Sequence, residues 1–144
     1  MIFSVLDFEP LLQILLSAVL GGLIGLEREF RKREAGLRTF SLVALGSCLF
    51  TIIAVYLDHL GNYVDPARII QAVAIGIGFL GSGIIIYNKL QVEGLTTAAA
   101  LWAVSAIGIG VGLGLYYFTI LTTILVIIIL AGIGEIEKKF FPGK

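Results

Sequence analysis

The residues able to do chemistry fall in three places. The first is Glu27-Arg-Glu-Phe-Arg-Lys-Arg-Glu34 with Arg38 just beyond it. Glu27 with Arg31, and Glu29 with Arg33, stand four apart with the acid first, the order that supports a helix. Arg31, Lys32 and Arg33 read as a solvated helix end that touches anionic lipid. Glu27, Arg28 and Arg38 abut apolar segments and admit two readings. They are either part of that solvated end, or turned inward where a charge is costly unless paired or functional. The second place is a pair of helix starts, Gly36-Leu-Arg-Thr39 and Gly94-Leu-Thr-Thr97. Thr39, Thr96 and Thr97 are expected as N-caps, and free N–H groups there favour a carboxylate or other anion. Arg38 would complete a bidentate clamp on such a group; alternatively Glu27 or Glu29 would latch onto these ends from within the chain. The third is a loop with Asp58, His59, Asp65 and Arg68, near Asp7 and Glu9. Mg²⁺ keeps several waters and needs only one or two carboxylates, so Asp65 and Arg68 mark a candidate external site. Asp65-Pro66 also makes a plain helix start.

No catalytic set emerges. There is no Ser-His-Asp arrangement to argue from, no H-E-x-x-H and no P-loop. Gly76-Ile-Gly-Phe-Leu-Gly-Ser-Gly83 resembles a phosphate loop only superficially, for it lies in an apolar segment and lacks the Lys-Thr ending. One cysteine, Cys48, excludes an internal disulfide, and with one histidine leaves few soft ligands for transition metals. The expectation is a non-enzyme without cofactor, with Mg²⁺ the candidate ion.

The elements that hold these residues must cross a membrane. Of 144 residues, 58% are hydrophobic and 14% charged, and mean hydropathy is +1.04. Ten basic residues balance ten acidic ones, so no net field draws in nucleic acid. Charge is absent from Pro10–Leu26, Thr39–Leu57, Ile69–Asn88 and Gly94–Gly134. The last run would reach about 62 Å as one helix, twice a hydrocarbon core of roughly 30 Å. It must fold back, near Gly112-Leu-Gly-Leu-Tyr116. The expected fold is therefore an all-α bundle of five transmembrane helices in a single domain, residues 1–144, with spans at about 8–26, 38–57, 68–88, 95–113 and 116–134. Arg28, Arg31, Lys32, Arg33, Arg38, Lys89, Lys138, Lys139 and Lys144 fall on one side, Arg68 alone on the other. The positive-inside rule then puts the N-terminus outside and the C-terminus in the cytoplasm. With Asp7 and Glu9 in place of a basic n-region, the first span is not expected to be a cleaved signal.

Small residues predict which spans touch. Gly21 and Gly25 form a G-x-x-x-G pair, Ala106, Gly110 and Gly114 recur every four residues, and Gly76, Gly78, Gly81, Ser82 and Gly83 crowd span three. Such ridges let helix backbones approach closely. The span-three glycines also admit local unwinding that would expose carbonyls to an ion. Span five is read as lipid-facing and peripheral, spans one to four as the core, and Trp102 as a packing residue. Gly25 with Gly36-Leu-Arg-Thr39 matches Gly83 with Gly94-Leu-Thr-Thr97 at one offset, a faint hairpin repeat.

On Gly22-Leu-Ile-Gly-Leu-Glu-Arg-Glu29, Ala35-Gly-Leu-Arg-Thr39, Val43-Ala-Leu-Gly46, Asp65-Pro-Ala-Arg68, Gly76–Gly83 and Gly94-Leu-Thr-Thr-Ala-Ala-Ala-Leu-Trp102, the chain resembles the MgtC/SapB family. The resemblance spans residues 12–115 and implies a five-helix bacterial inner-membrane protein linked to low-magnesium growth, virulence and control of other membrane machinery. Longer members add a cytoplasmic domain after the last span, and functions seated there are not carried over. Two functions are expected: a non-enzymatic regulator or adaptor of magnesium homeostasis, or a small transporter or channel for Mg²⁺ or another solute. The partners expected are the lipid bilayer, a second copy (a dimer before larger assemblies) and other membrane proteins.

Overall fold

The computed structural model describes residues 8–61, 65–88 and 91–133. Five helices are long and apolar enough to cross a membrane. The first is α1, Phe8–Phe30, with Glu9 in its positive first turn. It runs a full turn past the expected end at residue 26, carrying the charged cluster on helical backbone. It ends in a Schellman turn, where Arg33 N–H reaches Arg28 O and Lys32 N–H reaches Glu29 O, both at 3.0 Å. Lys32 occupies the left-handed position there (φ 52°).

The second helix, α2, is Leu37–His59, and α3 is Pro66–Ile84. α3 is a continuous helix, not a locally unwound one, and it stops short of the expected residue 88. The β-branched run Ile84-Ile85-Ile86 leaves the helix for a short antiparallel ribbon, β1 Ile86–Asn88 with β2 Gln91–Glu93, pairing Ile86 with Glu93 and Tyr87 with Val92. Gly94 closes the ribbon at φ 85°, so near the Ile84 carbonyl that no Cβ would fit. The ribbon was not foreseen: a charge-free window does not distinguish the last turn of a helix from a strand. Lys89 lies outside the described residues.

α4 is Leu95–Gly112, and α5 is Tyr116–Ile128, continued by a π-helical turn over Ile129–Ile133. The chain folds back between them where expected, with Gly114 at φ 75°.

The core is α1, α2 and α4. A Cβ on Gly21 would lie 2.6 Å from Phe40 O, and one on Gly25 2.7 Å from Leu37 Cα, so the G-x-x-x-G pair does seat α1 against α2. The ridge that seats α4 on α2 is displaced from the expected one. Gly108 meets the Ala44 carbonyl, and a Cβ on Gly112 would lie 2.8 Å from Cys48 O. Ala106 is exposed, and Gly110 faces Thr119 of α5. Ile24, Phe40, Ala44, Leu101, Val104 and Val111 fill the centre with no exposure.

The expectation that spans one to four form the core is corrected at α3. Of its most apolar window 11% is buried, against 50% for α4 and 17% for α5. Only Ile77 and Gly81 are buried in α3, and a Cβ on Gly76, Gly78 or Gly83 would meet nothing within 4 Å. Gly81 alone of the span-three glycines approaches another helix, at Ala98. Nor is α5 wholly peripheral, since it buries Thr119 and Thr123. Trp102 is 58% exposed rather than packed.

Candidate functional site

The last turn of α1 gathers the cluster. Arg28 is 2% exposed and directs Nε and Nη2 at one oxygen, Oε2, of Glu27. Arg31 Nε stands 2.7 Å from the other oxygen, Oε1. Both contacts are ion pairs, yet Oε1 is buried and accepts no hydrogen bond among the described residues. Arg31 Nη2 donates instead to Ala131 O at 3.0 Å, in the π turn after α5. Glu27 thus carries a buried arginine on one oxygen, and its other arginine reaches the far end of the chain. Arg31 is not the solvated side chain that spacing suggested.

Two more carboxylates continue the clamp. Glu29 Oε2 accepts from Leu37 N–H at 3.0 Å and so caps α2 from outside. The N-cap residues are Gly36 and Gly94, neither with a side-chain cap. Thr39 and Thr96 are exposed within the first turns of α2 and α4, so the N-cap expectation for Thr39, Thr96 and Thr97 is corrected. A Cβ at position 36 would meet the Glu29 carboxylate, so a larger residue there would displace the cap. Thr97, 2% exposed, donates from Oγ1 to Glu34 Oε2 at 2.8 Å and ties the loop after α1 to α4. Sequence reasoning missed Glu34 as a site residue. Its place at the end of the charged run was the only signal, because its partner lies 63 residues away.

Glu34 sits below its ordinary pKa. A hydrogen bond from its own backbone is the largest cause; the Thr97 hydroxyl follows, and burial opposes both. The sign follows directly: a depressed carboxyl contributes stability above its unfolded-state pKa and loses it as pH falls through the lower folded value. Thr97→Val is therefore expected to move the Glu34 midpoint upward, toward the usual ~4.3. Carboxyl titration by NMR reads this, and an unmoved midpoint would show that the hydroxyl contributes nothing.

Arg33, Glu34, Glu93, Thr96 and Thr97 line a polar cavity of about 330 Å³ at this end. Arg38 lies apart from the clamp, exposed and without an ion pair among the described residues. Among the described residues the candidate external site is not drawn together. Asp65 caps α3 by accepting from Ala67 N–H at 2.9 Å, Arg68 is exposed, and His59 Nδ1 lies 2.7 Å from Val55 O. Asp7 lies outside the described residues. Among the described residues no three His, Cys, Asp or Glu side chains group to hold a metal ion.

A second missed residue is Gln13. It is buried and directs Nε2 at Val111 O, 3.1 Å, and Gly112 O, 3.5 Å, tying α1 to the end of α4. A lone amide among the apolar residues of a span was the available signal, since such a group needs a partner. Tyr116 OH donates to Glu9 Oε1 at 3.4 Å beside it.

The model of the MgtC family matches residues 14–139. YhiD of Escherichia coli, provisionally named as a magnesium transporter, is 40% identical over 129 residues, 85% of this chain and 59% of its own. The protein MgtC of Brucella abortus is 43% identical over 109 residues, 76% of this chain and 44% of its own. The chain thus spans about half the length of these curated relatives. No solved structure matches. The match runs through every helix of the bundle and both ends of the Glu27 clamp, and the chain belongs to the MgtC family.

Proposed function

We propose that this multi-pass membrane protein regulates magnesium homeostasis in the bacterial inner membrane as a non-enzymatic adaptor of other membrane machinery, its basic Glu27–Arg38 end in the cytoplasm. The observation that carries this reading is the closed centre. α1, α2 and α4 meet backbone to backbone at Gly21, Gly25, Gly108 and Gly112, which supports a solid bundle over a conduit within one copy. The outward Gly78 and Gly83 of α3 support contact with a further helix, from a second copy or another membrane protein.

Transport is the second reading, favoured by the name of YhiD, and would call for a pore between copies. Purified protein in liposomes separates the two. Regulation predicts sealed vesicles, together with a low-magnesium growth defect when Glu27 or Arg38 is replaced by alanine. Magnesium flux that disappears with the same substitutions would replace the adaptor with a transporter.

A further inference from the structure

α2 and α3 diverge and leave an apolar cleft of about 490 Å³, with walls that include Leu42, Phe50, Ile69 and Leu80. Gly46 and Gly76 also line it, and a Cβ on either would meet nothing within 4 Å. Its extent is about 12 Å from Leu42 to Phe50 on α2 and about 17 Å from Ile69 to Leu80 on α3. One leaflet of hydrocarbon is roughly 15 Å deep. The cleft walls are almost wholly apolar, as an acyl chain requires.

The charge at its ends is unequal. Arg38 stands one turn before Leu42 on the same face of α2, exposed and without an ion pair among the described residues. At the opposite end Arg68 is also exposed and without an ion pair among the described residues, but Asp65, three residues before it, offsets its charge. An arginine beside an apolar cleft, at the depth where a side chain reaches the headgroups, attracts anionic lipid. We propose that the cleft between α2 and α3 is a binding site for an anionic glycerophospholipid, its acyl chain along Gly46 and Gly76 and its phosphate on Arg38. The site stands whether the protein regulates or conducts.

The full chain in mild detergent, offered phosphatidylglycerol and phosphatidylcholine with matched acyl chains, tests this by native mass spectrometry. The wild type is expected to prefer phosphatidylglycerol about fivefold, one arginine's worth near a membrane surface. Arg38→Ala should abolish the preference while phosphatidylcholine is still retained, and Arg68→Ala should leave it intact. Gly76→Leu, at an open position, should fill the cleft and release both lipids without lowering the melting temperature. A preference that survives Arg38→Ala or is lost with Arg68→Ala overturns the site. So does Gly76→Leu that keeps both lipids, and a change of oligomer mass in that variant would give the cleft to a second copy instead.

Discussion

Gly108→Ala is expected to cost about 3 kcal/mol or more, at the upper end for overpacking a tight site. The added methyl would enter the Ala44 carbonyl and stand 3.0 Å from Ser47 Cβ. A backbone group in the middle of α2 has no free rotamer with which to yield. Ala44 is also pressed from the other side, where a Cβ on Gly21 would lie 2.7 Å from its own Cβ. Any outward shift of α2 to admit Gly108→Ala therefore tightens the contact with α1. Gly76→Ala is the matched control, because its methyl meets open space, and helix propensity alone favours it by up to ~1 kcal/mol. Denaturant unfolding in detergent, followed by Trp102 emission, distinguishes the two. Equal midpoints for Gly108→Ala and wild type would mean that α2 and α4 do not touch there.

Glu27→Ala is expected to be as damaging, for a different reason. It leaves Arg28 charged, 2% exposed and without its carboxylate, and removing one member of a buried pair costs about 3–5 kcal/mol. It also removes the carboxylate that Arg31 pairs with while donating to the Ala131 carbonyl. Arg28→Ala should cost less, because Glu27 then keeps Arg31. The double variant should be more stable than the sum of its single losses predicts, since no stranded charge remains. A double-mutant cycle on unfolding free energies measures this, and strict additivity would show that Glu27 and Arg28 act independently.

The five crossings were legible because a charge-free run of helical length has few other uses, and the α4–α5 turn because clustered glycine left one place to fold back. The packing was legible only in part. Gly21 and Gly25 were identified by spacing, but spacing alone favoured Ala106, Gly110 and Gly114 over Gly108 and Gly112. In a helix as uniformly apolar as α4, no polar face indicates which side is turned inward. The glycines of span three misled for the same reason, since small residues mark where a backbone can be approached and not which helix approaches it. At the clamp, Glu27 and Arg28 were visible as charges beside a span, and a Glu29 latch was among the expectations. Glu34 with Thr97, and Arg31 with Ala131, join residues 63 and 100 positions apart. Such partners follow from helix docking, which local pattern does not encode.

The amide of Gln13 acts as a detent. Sliding α1 one turn along α4 would strand this buried donor, while the Val111 carbonyl would keep the Gly114 N–H at 2.9 Å. With Glu29 and Glu34 bracing the opposite end, α1, α2 and α4 form a rigid chassis.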